Sequence, residues 1–207
     1  MHYDRDMTAD QSSTTVTTSG RDLFLARLKA ETRAAHEQTE LAVALPRRLE
    51  SLDAYRELLF LFLGLYEPLE EALRNCPACP AIAQGRLEKW ELLCQDLGEL
   101  DLLVEEGFEC DNLPTIATEA DCYGVLYVLE GSTLGGQIIR REVAQRFPDQ
   151  APLISRFFQP YGDRTRPMWT DFCSSLSDFG VAHPEAQDQV IASAQETFLC
   201  FERWLQQ

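Results

Sequence analysis

Leu28-Lys29-Ala30-Glu31-Thr32-Arg33-Ala34-Ala35-His36-Glu37-Gln38-Thr39-Glu40 is the stretch whose reading decides the fold. It reads as helix. At about 100° per residue, Lys29, Arg33, His36 and Glu40 recur at i, i+4, i+7 and i+11 and project from one stripe. A helix stripe that packs on a core should be apolar, and this one is ionisable. It reads as the near wall of a site for an anionic cofactor.

The same helical period continues outward from this segment. Residues 21–44 form the first helix, ending near Pro46. Ser51 caps a second, in which Leu52, Tyr55, Leu58, Leu59, Phe62, Leu65, Tyr66, Leu69 and Leu73 occupy so much of the circumference that it should be central and buried. A third is expected over 81–104, with Ile82, Leu87, Trp90, Leu93, Leu97 and Leu100 opposite an acidic side. A fourth runs from Thr115 or Thr118 to about Phe147, and a short fifth lies near 150–158. A sixth begins near Pro167, and the last spans about 184–205 with Val190, Ile191, Ala194, Phe198, Phe201 and Trp204 inward. No alternating run with hairpin-turn chemistry competes, so the fold class is all-α.

A chain of 207 residues, 45% of them hydrophobic, suits a single domain with one core. The expected organisation is a disordered lead-in over 1–20, dominated by Ser, Thr and Asp, and a helical domain over 21–207. The apolar run Leu58–Leu65 stops after eight residues, well short of the ~18–20 of a membrane span, and no charged-then-apolar leader opens the chain. The expectation is a cytoplasmic protein without a membrane partner.

A net charge of −16 argues against nucleic acid, whose binding needs a basic surface. The charge is unevenly placed. Residues 86–121 hold 11 acids and two bases, read as a solvated helix face, whereas 21–48 and 140–166 each carry six bases against four and three acids. These basic regions are available to an anionic ligand or an acidic partner. The seven cysteines show no disulfide framework and fit reduced thiols. Cys76-Pro77-Ala78-Cys79 reads as two thiols in an interhelical turn.

Of the three histidines, His2 lies in the lead-in and His183 precedes Pro184 at a helix entry. Only His36 is mid-helix. A carboxylate one turn on, Glu40, is placed to take the ring Nδ1–H and direct Nε2 outward to a metal, although a structural histidine would look the same. One histidine is too few for a zinc cage but suffices as the axial ligand of haem. The second constellation is Tyr127-Val128-Leu129-Glu130-Gly131-Ser132-Thr133-Leu134-Gly135-Gly136-Gln137. Three glycines inside a helix cost on the order of 1 kcal/mol each relative to alanine. Their reading stays open between close approach of a planar ligand, with a kink at Gly135-Gly136, and tight packing of small residues.

Together, the His36 segment and Gly131–Gln137 resemble the proximal and distal helix motifs of the haem oxygenases. The match is closest to the bacterial branch that supplies bilin to bacteriophytochromes, which Phe157-Phe158-Gln159-Pro160-Tyr161-Gly162-Asp163, Met168-Trp169 and Phe172 also resemble. The resemblance covers about residues 20–205. It implies an all-helical fold clamping haem (iron protoporphyrin IX) between a proximal N-terminal helix and a glycine-kinked distal helix. It implies opening of the ring with O2 and electrons to biliverdin, CO and Fe2+. His36 then carries over as the iron ligand and Glu40 as its partner, and Lys29 matches a position that meets a haem propionate.

Arg33 lies on the same stripe, with a solvent-facing role equally open. Gly131, Ser132, Gly135 and Gly136 would form the distal, oxygen- and water-bearing side. Where several members carry an aspartate after the first glycine, this chain has Ser132, so proton delivery would pass to water beside Ser132 and Thr133. Tyr123, Tyr127, Arg140, Arg141, Arg164 and Arg166 are further candidates for the ligand edge, with core packing or solvation as the alternative for each. The implied partners are an external reductant, a ferredoxin or flavodoxin-type electron donor, and a bacteriophytochrome as recipient. Two other classes fit the same residues: a haem-binding protein without turnover, and a helical interaction protein lacking haem.

Overall fold

Thr118 shows how directly this chain writes its helices. Its hydroxyl accepts the Asp121 N–H at 3.2 Å while the Asp121 carboxylate accepts the Thr118 N–H at 2.8 Å. This reciprocal capping box satisfies two of the donors a helix start leaves orphaned. It launches the longest helix, α5 (Glu119–Arg146). In this computed structural model, which describes residues 20–100 and 108–207, the other helices are α1 (Gly20–Val43), α2 (Leu45–Arg48), α3 (Leu52–Asn75), α4 (Lys89–Gly98), α6 (Ala151–Ile154), α7 (Thr165–Ala182) and α8 (Gln187–Leu205). Short 3-10 turns lie at Ala81–Ala83, Gly162–Arg164 and Pro184–Ala186. Among the described residues every regular element is helical, and no helix is long and apolar enough to cross a membrane. The lead-in expected over 1–20 lies outside the described residues except for Gly20, where α1 begins.

The central helix is α3, as its crowded apolar positions require. Ser51 accepts the Ala54 N–H at 3.1 Å as its N-cap, and Tyr55, Leu58, Leu59, Leu65, Tyr66, Leu69 and Leu73 are all buried. The six inward positions expected of the last helix are buried as well.

The helix expected over 81–104 needs correction. The chain makes a 3-10 turn at Ala81–Ala83, passes through Gly85 at φ 71°, and begins α4 only at Lys89. The left-handed backbone at Gly85 interrupts the helix. The acidic side of this region is also not simply a solvated face: Arg86, Lys89, Asp96 and Asp121 are buried.

α8 positions the two walls. α1 lies along it in the same direction, from Arg27–Asp188 at 2.5 Å, through Gln195 Nε2 donating to the Glu31 carbonyl at 2.8 Å, to Thr39 Oγ1 donating to the Phe198 carbonyl at 3.1 Å. α5 crosses the same helix at Gly124, where a Cβ would stand 2.5 Å from Ser193 Cβ and 2.7 Å from the Val190 carbonyl oxygen. Any side chain there would separate α5 from its support. Both α1 and α5 also pack on α7, and neither relies on the other for support. They touch where the Tyr127 phenol faces Thr32.

Candidate functional site

His36 stands one turn beyond Thr32 on α1, and Gly131 one turn beyond Tyr127 on α5, so each motif lies one turn from the Thr32–Tyr127 contact. The His36 side chain is 55% exposed. Its ring meets Phe198 edge to face, with centroids 5.5 Å apart at 79°. Glu40 Oε1 lies 3.8 Å from Nδ1, on the expected side but longer than a hydrogen bond, and this leaves Nε2 directed away from the carboxylate.

The cations of α1 sort themselves by their partners. Arg21 pairs with Asp178, Arg27 with Glu31 and Asp188, and Arg33 with Glu37 at 2.8 Å. Among the described residues Lys29 alone of the four has no carboxylate, and it is exposed. Arg33 is committed along its own helix, and of its two readings the solvent-facing one describes this conformation.

The three glycines of α5 differ. The helix runs unbroken through them. A Cβ on Gly135 would meet nothing within 4 Å, and one on Gly131 would make an ordinary 3.7 Å contact with Trp169. A Cβ on Gly136 would lie 2.9 Å from the Phe158 carbonyl oxygen. Gly136 is thus a packing glycine in this structure, whereas Gly131 and Gly135 leave a bare strip flanked by Leu134 and Ile138, both exposed. An apolar helix face missing two side chains suits a flat apolar ligand.

A direct comparison follows from this contrast. Gly135→Ala is expected to raise stability by up to about 1 kcal/mol, since helix propensity favours alanine, yet to weaken haem binding or turnover by narrowing the cleft. Gly136→Ala is expected to cost about 1–3 kcal/mol through overpacking on backbone. Urea denaturation of both variants beside a haem titration separates the two roles.

Ser132 is an exposed residue whose hydroxyl is turned inward. Its hydroxyl donates to the Leu129 carbonyl at 2.8 Å, and with that proton used, Tyr66 Oη donates to Ser132 Oγ at 2.7 Å. Thr133 likewise donates to the Glu130 carbonyl at 2.7 Å and is buried. Both hydroxyls hold the helix and its attachment to α3, so neither has a free proton for the cleft in this conformation. Tyr127 packs on Trp169 at 5.8 Å, and Tyr123 is bonded to Ser175 at 2.8 Å, which favours packing for each. Arg140, Arg141, Arg164 and Arg166 are exposed, and Arg141 donates to the Gln137 carbonyl at 3.2 Å.

A buried ion cluster under the glycine strip escaped the sequence reading. Glu130, wholly buried, accepts from Arg86 at 2.6 Å and from Lys89 and Tyr161 at 2.8 Å each. Glu70, also wholly buried, accepts the N–H groups of Lys89 and Trp90 at 3.2 and 3.3 Å. One signal was available: Arg86 and Lys89 are the only bases in an otherwise acidic stretch.

Burial pushes the Glu70 carboxyl up to about 7 from its ordinary 4.5, against the pull of Lys89 and the two N–H groups. Between those values the folded chain holds a proton that the unfolded chain releases. The group's contribution to stability is therefore largest at low pH and is lost as pH rises through about 7. Wild type is expected to lose on the order of 2–3 kcal/mol relative to Glu70→Gln between about pH 5 and pH 8, read from urea midpoints.

A concavity elsewhere, about 500 Å³, is lined by Glu119, Asp171 and Asp178 among others. It contains neither His36, Lys29 nor the glycines, and its acidic lining is wrong for propionates.

Comparisons with known proteins bear on the fold and the family. A crystal structure of the NO- and CO-bound haem oxygenase from Neisseria meningitidis superposes with a TM-score of 0.70 at 24% identity, covering 88% of this chain and 89% of that one, which establishes a shared fold. A haem oxygenase of Xanthomonas campestris pv. campestris (strain 8004) is 34% identical over 88 residues, 42% of this chain. That match spans about half, 52%, of the relative's own length. The family profile described as "Heme oxygenase" matches residues 22–207, nearly the whole described domain. With its all-helical fold and its two facing motifs on α1 and α5, the chain belongs to the haem oxygenase family.

Proposed function

We propose that this protein binds haem between α1 and α5 and opens it, with O2 and electrons from an external reductant, to biliverdin, CO and Fe2+. The carrying observation is the pairing of an exposed imidazole, His36, with a bare Gly131/Gly135 strip on a second helix held by the same support, α8. The residues fit the substrate. His36 Nε2 would hold the haem iron, and Glu40, 3.8 Å from Nδ1, would orient the ring and fix its tautomer on closing to a hydrogen bond. Lys29 offers an ammonium to a propionate. Leu134 and Ile138 cover apolar porphyrin surface and exclude water from it.

Bound haem supplies the iron at which oxygen reacts and the ring that is opened. The protein's part is to direct and to hydrate. With Ser132 and Thr133 hydrogen-bonded into their own helix, no ionisable side chain of Gly131–Gly136 faces the cleft, so protons reach the distal side through water lodged above Gly131 and Gly135. That inward turn of Ser132 also favours the second reading, a haem-binding protein without turnover. Incubating the haem complex with ascorbate in air decides between them: loss of the haem absorption with release of biliverdin and CO supports the oxygenase, and an intact complex supports the binder.

The segments around Phe157–Asp163, Met168, Trp169 and Phe172 support placing the chain in the bilin-supplying branch, with a bacteriophytochrome as recipient and iron release as the alternative purpose. The donor we favour is an acidic ferredoxin or flavodoxin-type protein meeting the basic regions at 21–48 and 140–166. Such a pathway operates in the cytoplasm.

A further inference from the structure

Three cysteines converge where the end of α3 meets the start of α5, outside the haem site. Cys76 is the C-cap of α3, and the chain turns so that the Cys79 N–H donates to the Cys76 carbonyl at 3.0 Å. From α5, Cys122 brings its Sγ to 3.6 Å from Cys76 Sγ and also lies within hydrogen-bonding reach of Cys79. Cys76 and Cys122 are buried, while Cys79 is half-buried and so open to small oxidants. A second pair, Cys110 and Cys200, has the same Sγ separation of 3.6 Å, but both members are buried and no third thiol is bonded to them.

We propose that Cys76, Cys79 and Cys122 form a thiol relay for hydroperoxides, in which Cys79 is the entry and a Cys76–Cys122 disulfide is the product. The Cys79 thiolate attacks one oxygen of hydrogen peroxide. The O–O bond breaks, the sulfur is oxidised to sulfenic acid, and the departing hydroxide takes up a proton to become water. Cys122 condenses with that sulfur, forming an S–S bond and releasing a second water. Cys76 then attacks Cys122 Sγ and displaces Cys79, which regains its proton. In sum, two thiols and one hydrogen peroxide yield one disulfide and two waters, with Cys79 regenerated.

Closing 3.6 Å to a bond of about 2.05 Å is a matter of side-chain rotation and small backbone movement. The link would tie the end of α3 to the helix that carries the glycine strip. Burial raises the Cys79 thiol above its usual range, so the relay runs slowly at neutral pH and faster as pH rises. The Cys110–Cys200 pair, equally close but without an entry thiol, stays reduced over the same interval.

The test uses the full chain freed of reductant, treated with hydrogen peroxide, alkylated, and cut by a Glu-specific protease that separates residues 72–88 from 120–130. Mass spectrometry with fragmentation is expected to find these two peptides joined through Cys76 and two hydrogens lighter, with Cys79, Cys110 and Cys200 alkylated. Cys79→Ser, a change in a half-buried turn, is expected to slow the link by about tenfold or more. Dimedone is expected to trap a sulfenic acid on Cys79 in wild type, which tests the entry step without any variant. The proposal is overturned by absence of the 72–88 to 120–130 link, by absence of dimedone on Cys79, by a wild-type rate in Cys79→Ser, or by earlier oxidation of Cys110–Cys200.

Discussion

His36→Ala is expected to abolish the axial-ligand signature of bound haem while leaving the fold unchanged. The imidazole is 55% exposed, packs edge to face with Phe198, and stands 3.8 Å from Glu40. Removing it should shift stability by no more than about 0.5 kcal/mol, the usual range for a surface side chain. On the proposed role of His36, haem affinity should fall much further, because the residue that would hold the iron is gone. Glu40→Gln gives the graded case: a partner that only orients the ligand is worth about 10–100-fold in affinity. Absorption titration with urea denaturation of the same samples checks both halves. A histidine variant that binds haem with an unaltered spectrum would remove α1 from the site, and one that unfolds would make His36 structural.

Glu130→Ala is expected to be strongly destabilising. The carboxylate is wholly buried and answers two buried cations, Arg86 at 2.6 Å and Lys89 at 2.8 Å, besides the Tyr161 hydroxyl at 2.8 Å. Removing it leaves Arg86 with Asp171 at 3.2 Å and Lys89 with Glu70 at 3.9 Å as their remaining carboxylates, and breaking a buried cluster from one side costs about 3–5 kcal/mol. For a domain whose total stability is about 5–15 kcal/mol, that is a large fraction. Because Glu130 immediately precedes Gly131, the loss should also loosen the distal strip and weaken haem binding in the fraction that remains folded. Glu130→Gln keeps the shape but not the charge and should fall between. A urea midpoint for Glu130→Ala equivalent to less than about 1 kcal/mol of loss would show that water enters and solvates the cations.

The residues of α1 were legible in sequence because helical periodicity is a local property. Lys29 and His36 share a stripe whatever lies opposite, and the capping box at Thr118 is written within four residues. The orientation of Ser132 was not legible, since it is set by Tyr66, 66 positions away and across a helix interface. The three glycines looked alike in sequence and part company only where Phe158 presses on Gly136. The acidic stretch misled for a related reason. Composition says nothing about which of its charges find buried partners, and Arg86 and Lys89 find Glu130 more than 40 residues on.

The central claim is that His36 on α1 and the Gly131/Gly135 strip on α5 are the two walls of a haem-opening site. It is tested most directly by following the purified haem complex with ascorbate in air, in wild type and in His36→Ala. The account predicts that wild type loses its haem absorption and releases biliverdin and CO, and that the variant yields neither product. A wild-type complex that keeps its haem intact, or an alanine variant that releases biliverdin at the wild-type rate, would contradict it.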